Sequence, residues 1–301
     1  MRLRHIEVFH AIMQAGSISG AAQLLHISQP AVTKVLQHAE LQLGMPLFDR
    51  VRGKLVPTPE AQRLYVETDR LSRDLIAIRR LAAQLRAGGQ DLLRVLATPT
   101  LGASVLPAAV THWAKAYPEA RCTLATHHTR EIVNALLLGE ADLALSLQDP
   151  HHPGIKAEVL VSSPMVALCP VGSAEAREDG ELALADIETE LIGMAEDDPL
   201  GHQVANAFAA QDMHPASRIT VQTYQLARSL VESGVGLSIV DPFTAASCDR
   251  SRLRIRPLDP AIPVQLTLLT PANAPLPQLG RRFVKLLTET TKGNLAELGL
   301  T

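Results

Sequence analysis

The sequence predicts an α/β chain with three parts: an N-terminal winged helix-turn-helix, one long connecting helix, and a C-terminal body of alternating strands and helices. Three observations carry this. Residues 17–50, SISGAAQLLHISQPAVTKVLQHAELQLGMPLFDR, read as two short helices joined by a tight turn and followed by a hairpin. From residue 59 to 86 apolar residues recur at spacings of three, four and seven. Beyond residue 91 the pattern changes, and strand-like runs alternate with helical stretches.

Leu3 to about Gln14 forms a first helix, with Leu3, Ile6, Phe9, His10 and Met13 spaced to face a core. In the next helix Ser17 is placed to cap the start, and Ala21, Ala22, Leu24 and Leu25 supply the buried face. The small alanines let the following helix approach closely. His26 and Ile27 form the turn, and Ser28 caps the second helix by accepting a backbone N–H. Pro30 falls in the first turn, where its missing N–H costs nothing. Val32, Val35, Leu36 and Ala39 share one face, which leaves Gln29, Thr33 and Lys34 largely elsewhere. The second helix of such a pair enters the major groove of DNA. Gln29, Thr33 and Lys34 are therefore candidates for base-edge contacts, with Ser28 and Pro30 positioning the helix.

Met45 to Thr58 contains Pro46, Gly53 and Pro57, with Leu55-Val56 as a short strand, and reads as a hairpin wing. Arg50, Arg52 and Lys54 place cations there for phosphates or the minor groove, although a solvated loop would carry the same charges. The long helix has a proline at its start and Gly88-Gly89 just past its end. Its stripe of Leu64, Leu71, Leu75, Ile78, Leu81, Ala82 and Leu85 suits pairing with a second copy of itself, or packing on its own domain. Two half-sites on DNA favour the pairing helix, and Gly88-Gly89-Gln90 then reads as a hinge. Next come a strand at 92–98, a helix at 101–118, a strand at 121–127, a helix at 130–139 and a strand at 141–147, a βαβαβ unit with a parallel sheet. A second unit begins near 158–170. It continues through a helix at 199–211, a strand at 218–221, a helix at 224–233 and a strand at 237–240; a strand at 264–271 and a helix at 277–291 close the chain.

The chain has 301 residues, 47% of them apolar and 20% charged, enough to bury sizeable cores. Aromatic content of 3% argues against stacking platforms for single-stranded nucleic acid. Residues 1–90 hold 12 Lys/Arg against 7 Asp/Glu, whereas residues 91–301 hold 16 against 24. A basic head on an acidic body suits a DNA-binding unit joined to one that does not bind DNA. The opening MRLRHIEVFHAIMQAG is amphipathic and broken by charge, unlike a signal peptide, and no run approaches a membrane span. The expected location is cytoplasmic. Cys122, Cys169 and Cys248 are far apart, without a disulfide or CxxC metal pattern.

The run Ser28-Gln29-Pro30-Ala31-Val32-Thr33, then Glu40, Leu43-Gly44, Leu47-Phe48 and Arg50, resembles the winged helix-turn-helix of LysR-type transcriptional regulators over about 60 residues. Ala39, His38 and Thr33-Lys34 depart from the leucine, arginine and Ser-Arg common there. GEADLALSL (139–147) and LVESGVGLSIVDPFTA (230–245) are similar to the family's effector-binding domain, the second string being close to the lysine- and opine-responsive members. The resemblance implies a two-lobed α/β body like periplasmic solute-binding proteins. The divisions are then a winged head at 1–58, a linker or dimerisation helix at 59–87, and an effector domain at 91–301. Its lobe I covers about 91–160 and 265–301, and its lobe II about 161–264. Implied partners are promoter or operator double-stranded DNA, a small-molecule effector, and copies of the chain in a dimer-of-dimers homotetramer; RNA polymerase is a candidate. No cofactor, metal or membrane is implied.

In such α/β sheets ligands bind beyond the C-terminal strand ends, where helix N-termini offer N–H groups. The loops there supply Thr98, Thr100, Leu101, His128, Thr129, Ser146 and Gln148, with Thr100 and Thr129 as caps. In the other lobe, the loop from Glu196 to His202 supplies Asp198 and Leu200, and Thr223-Tyr224 opens a further helix. Hydroxyls and N–H groups suit a carboxylate, and Asp197 or Asp198 suits an ammonium, so a small zwitterion such as an amino acid or its derivative fits. The same acids also serve simply to cap the helix at 199–211.

Other constellations carry less. His127-His128 and His151-His152 point apart and lack a completing ligand. Gly234-Val235-Gly236 follows a helix, the reverse of a dinucleotide turn, and reads as a left-handed cap. Cys122 falls in a strand expected to be buried and inert. The rival class is an enzyme or solute receptor with a fused helical head. It would need a convergent catalytic group or an export signal, and neither stands out.

Overall fold

Three helices, α1 (Leu3–Ala15), α2 (Ile18–Leu24) and α3 (Gln29–Leu43), close on one apolar cluster in which Val8, Phe9, Ile12, Val32 and Leu47 are fully buried. The computed structural model describes residues 2–25, 27–51, 54–86, 92–177, 180–195, 198–215 and 217–300. Each fully buried large apolar side chain contributes roughly 1.5–3 kcal/mol. Gly16 and Gly44 take φ of 64° and 71° to end α1 and α3, a left-handed turn that a side chain would strain. The core stripe of α1 runs through Val8, Phe9 and Ile12, whereas Ile6 and Met13 are only half-buried, a rotation from the expected face. The expected turn residue His26 and the hinge at 88–90 lie outside the described residues, as does the side chain of Leu3.

The wing is a hairpin of β1 (Phe48–Val51) and β2 (Lys54–Pro57), antiparallel from Phe48↔Pro57 to Val51↔Lys54. Thr58 joins it to α4 (Pro59–Arg86): its hydroxyl lies 3.2 Å from the Leu47 carbonyl, and the Ala61 N–H donates to that hydroxyl at 3.2 Å. On α4, Val66, Leu71 and Ile78 are exposed, while the side chains of Leu75, Leu81 and Leu85 lie outside the described residues.

The body starts with β3 (Leu92–Ala97), α5 (Pro99–Ala116), β4 (Arg121–Thr126), α6 (Thr129–Leu137), β5 (Leu143–Ser146) and β6 (Ile155–Pro164). The chain then enters the second lobe with β7 (Val166–Pro170), β8 (Leu182–Ala183), a 3-10 turn at Leu184–Asp186, β9 (Ile192–Met194) and α7 (Pro199–Ala209). It goes on through β10 (Ile219–Val221), α8 (Tyr224–Glu232), β11 (Ser238–Val240), α9 (Pro242–Ala245) and β12 (Leu253–Asp259). Finally β13 (Pro263–Pro271) and α10 (Gln278–Ala296) return to the first lobe.

The first lobe's sheet runs β4-β3-β5-β13-β6, with β3, β4 and β5 parallel and β13 antiparallel to both its neighbours. The second lobe does not repeat the parallel unit that its sequence suggested. Its sheet, β11-β7-β12-β8, is antiparallel around β7, and β9 pairs with β10 in a separate parallel ribbon. The Gly234 expectation is matched by a φ of 78° just past α8. Cys122, expected to be buried, is half-exposed because β4 is an edge strand whose residues mostly face outward. Arg94 spans β3 and the approach to β5 by donating from its backbone N–H, Nε and Nη2 to the buried Asp142 carboxylate.

Candidate DNA-reading face and interlobe groups

The start of α3 is built for presentation. Ser28 Oγ accepts the Ala31 N–H at 3.4 Å, and Pro30 sits in the first turn. Ser28, Gln29, Pro30 and Lys34 are exposed or nearly so, while Thr33 is half-buried and donates its hydroxyl to the Gln29 carbonyl at 3.1 Å. At the other end of the helix, Glu40 Oε1 accepts the N–H groups of Leu47 (2.8 Å) and Phe48 (3.4 Å). The last turn of α3 therefore fixes where the wing begins. Arg50 and Lys54 belong to β1 and β2, but their side chains, and the whole of Arg52, lie outside what the structure describes.

Beneath α3, the Arg2 N–H donates to His5 Nδ1, and His5 Nε2 lies 3.2 Å from His38 Nδ1. Since Nδ1 of His5 accepts, its proton sits on Nε2 and is donated to His38, an arrangement that needs a neutral His5. Burial, then the neighbouring His38, holds the His5 pKa below its usual 6.5; burial does the same to His10 and His152. The unfolded chain consequently binds more protons than the folded one as pH falls below about 6.5, and stability drops there. Asp241, fully buried and pushed up to about 6, acts in the opposite sense below that value. We expect His5→Gln to shrink the loss of unfolding free energy between pH 7.5 and 6 in urea titrations; an unchanged loss would contradict a neutral His5.

In the first lobe, Thr98, His127 and Ser146 sit just past or at the C-terminal ends of the neighbouring strands β3, β4 and β5. The caps differ from expectation. Thr98, not Thr100, is the cap position of α5, because Pro99 takes the first helical place; Thr100 is buried within the helix. His128, not Thr129, precedes α6, and its N–H donates to Glu131 Oε2 at 3.1 Å. Ser146 is fully buried and accepts the Gln148 N–H at 3.0 Å. Leu101 and Leu200 are buried in the apolar core, so their side chains are packing groups.

In the second lobe, Asp198 caps α7 through the Gly201 N–H (2.6 Å) and also accepts the Tyr224 hydroxyl (2.7 Å). Burial, followed by the charge of Asp198, raises the Tyr224 phenol far above its ordinary value, so it stays a donor. Thr223 caps α8 by accepting the Leu226 N–H at 3.3 Å. Asp197 and Glu196 lie outside the described residues. α5 packs against α8 and α9, which joins the two lobes through helix contacts.

Two groups were not singled out from sequence. Gln225 Nε2, like Thr98 Oγ1, is a buried atom without a hydrogen-bond partner among the described residues. Asp241 caps α9 with bonds from the Thr244 N–H and hydroxyl, and the short run Asp-Pro-x-Thr is the cap signal that marks it. Among the described residues no cluster of His, Cys, Asp or Glu is arranged to hold a metal ion. Burial pushes the Cys122 thiol up to about 11 and that of Cys169 up to about 12, so both stay protonated at neutral pH. Among the described residues no helix is long and apolar enough to cross a membrane.

Two family models match the chain: a bacterial regulatory helix-turn-helix protein of the lysR family over residues 3–62, and a LysR substrate binding domain over residues 86–292. The HTH-type transcriptional regulator DgcR of a Pseudoalteromonas species is 40% identical over 81% of this chain and 84% of its own length. The transcriptional activator protein LysR of Escherichia coli K12 is 32% identical over 94% and 91%. Full-length BenM superposes with a TM-score of 0.56 and 25% identity, over 100% of this chain and 99% of that one. A capped, exposed helix braced by a wing, joined by a long helix to a two-lobed α/β body, and matched along nearly its whole length, establishes that the chain belongs to the LysR-type family of DNA-binding transcriptional regulators.

Proposed function

We propose that this chain, as a homo-oligomer, reads an operator in double-stranded DNA and answers to a small zwitterion, an amino acid or amino-acid derivative, held between its lobes. The DNA reading rests on Gln29 and Lys34 standing exposed on a helix anchored at one end by Ser28 and at the other by Glu40. Two exposed Asn/Gln or Lys/Arg groups at a helix start match the donor and acceptor pattern of base edges, and Arg50, Arg52 and Lys54 supply phosphate contacts. RNA polymerase is the partner through which operator binding would alter transcription. No catalytic role is assigned to any residue.

The effector reading is supported by the chemistry at the helix starts. On lobe I the N–H groups of α5 and Thr98 Oγ1, which has no hydrogen-bond partner among the described residues, suit a carboxylate, with His128, Gln148 and the first α6 residue Thr129 at the neighbouring strand ends. On lobe II, both described bonds to Asp198 fall on Oδ2, which leaves Oδ1 to receive an ammonium group beside Tyr224 and Thr223. A ligand bridging the lobes would shift the oligomer only by the difference in its affinity for the two arrangements.

Footprinting upstream of the protein's own gene, combined with a thermal-shift screen of amino acids and opines, tests both halves. We expect a protected interrupted palindrome and at least one ligand that raises the melting temperature and alters the footprint. No protected site, together with turnover of a bound solute, would favour an enzyme. A protected site with no amino acid or opine shifting it would remove the zwitterion assignment.

A further inference from the structure

The DNA-binding unit, together with the long helix α4, meets lobe I of its own chain at three places among the described residues. Asn273, in the turn after β13, donates from Nδ2 to Asp69 Oδ1 of α4 at 2.6 Å, and the same oxygen lies 3.2 Å from His10 Nε2 of α1. Gly154, ahead of β6, is wedged: a Cβ there would lie 2.6 Å from Leu137 Cδ2 and 3.3 Å from Gln14 Nε2, so the ends of α1 and α6 close on one backbone segment. Finally, Arg130, Glu131 and Asn134 of α6 form one wall of a cavity of about 450 Å3 whose other wall includes Ser19, Gln23 and Gln29 of the helix-turn-helix.

The third place bears on DNA. A helix-turn-helix lays its second helix in the groove while the first crosses the phosphate backbone, so DNA must come alongside both. Arg130, Glu131 and Asn134 of lobe I share this cavity with Gln29 at the start of α3. A duplex laid against Ser19 and Gln29 would therefore meet the lobe I residues on the far wall. We propose that the α6 face of lobe I, with the turn at Asn273, is a docking surface for the chain's own DNA-binding unit, and that the docked arrangement holds operator affinity down until lobe I lets go. α6 begins at Thr129, directly after His128, so the helix that meets the head also starts at the candidate effector loop. That link to the effector rests on the reading above; the docking itself does not.

Asn273→Ala in the full-length chain is the test, because Asn273 is exposed and its removal cuts one tie without opening a core. With no ligand added, its operator Kd should tighten about threefold to tenfold by gel shift, the range expected for one hydrogen bond. Amide exchange along 129–137 and 152–155 should quicken in the variant, whether or not an operator has been found. Lys285→Ala, on α10, should change neither quantity. An operator affinity that stays the same or weakens would overturn the inhibitory role, and unchanged exchange would overturn the docking. A wild-type chain that binds no DNA while exchange quickens would sink the operator reading and leave the docking supported.

Discussion

Gln29→Ala with Lys34→Ala is expected to weaken specific operator binding by about 1–3 kcal/mol for each base edge that is no longer read. Gln29 is the first residue of α3 and Lys34 lies just over one turn further on; both are exposed and Ser28 holds the helix start in place. An amide recognises adenine and an ammonium recognises guanine by position, so removing either side chain removes discrimination together with affinity. The measurement is a titration of the double variant against the operator and against unrelated DNA of the same length. Binding to the operator should fall far more than binding to the unrelated duplex, which depends on phosphate charge. An equal fall on both would make these residues phosphate contacts, and no fall would remove them from the interface. Neither side chain supports the core, so melting of the double variant should match the parent.

The largest stability effect is expected at Arg256, where replacement by alanine should cost roughly 3 kcal/mol or more, about 1–3 kcal/mol for each buried carbonyl left without its donor. Its guanidinium is 4% exposed and donates to three carbonyls: Glu175 at 2.6 Å, Gly180 at 2.7 Å and Glu181 at 2.8 Å. One side chain from β12 thus pins the irregular segment that leads into β8. The variant strands those carbonyls in the interior and removes a cation near Glu175. That carboxylate is held down at about 2 against the cost of its burial by bonds from Thr189 and the neighbouring backbone. Urea unfolding should show the effect as a lower midpoint with an unchanged slope. A change below about 1 kcal/mol would mean that water replaces the missing donors and that the segment is not anchored there. Arg256→Lys should recover only part of the stability, because a single ammonium does not reproduce the planar fork.

Residues 17–50 and the long helix were legible because their signals are local. Serine caps, a proline in the first turn and apolar spacings of three and four act within a few residues of each other, and the fold kept them. The second lobe was harder. No element was read at β12, LRIRPLD, where Arg256 is buried because three carbonyls from distant segments meet it. α9 has four residues, too few to show a helical period, and β8 and β9 are two and three residues long. The site was legible in part. Candidate residues fell at strand ends and helix starts as expected, but the caps moved by one or two positions where Pro99 and the His128–Glu131 pair decided the helix start. Leu101 and Leu200 turned inward because each lies on the core side of its helix.

Cap chemistry, apolar periodicity and the charge difference between the two ends were sufficient for the helix-turn-helix, its wing, the linking helix and the α/β character of the body. Strand order and direction in the second lobe were decided elsewhere, as were the exposure of Cys122 on an edge strand, the burial of Arg256, and the meeting of α6 with the DNA-binding unit. Each of those depends on residues far apart in the chain coming together in space, as Asn273 meets Asp69, and no pattern within a single segment encodes its partner.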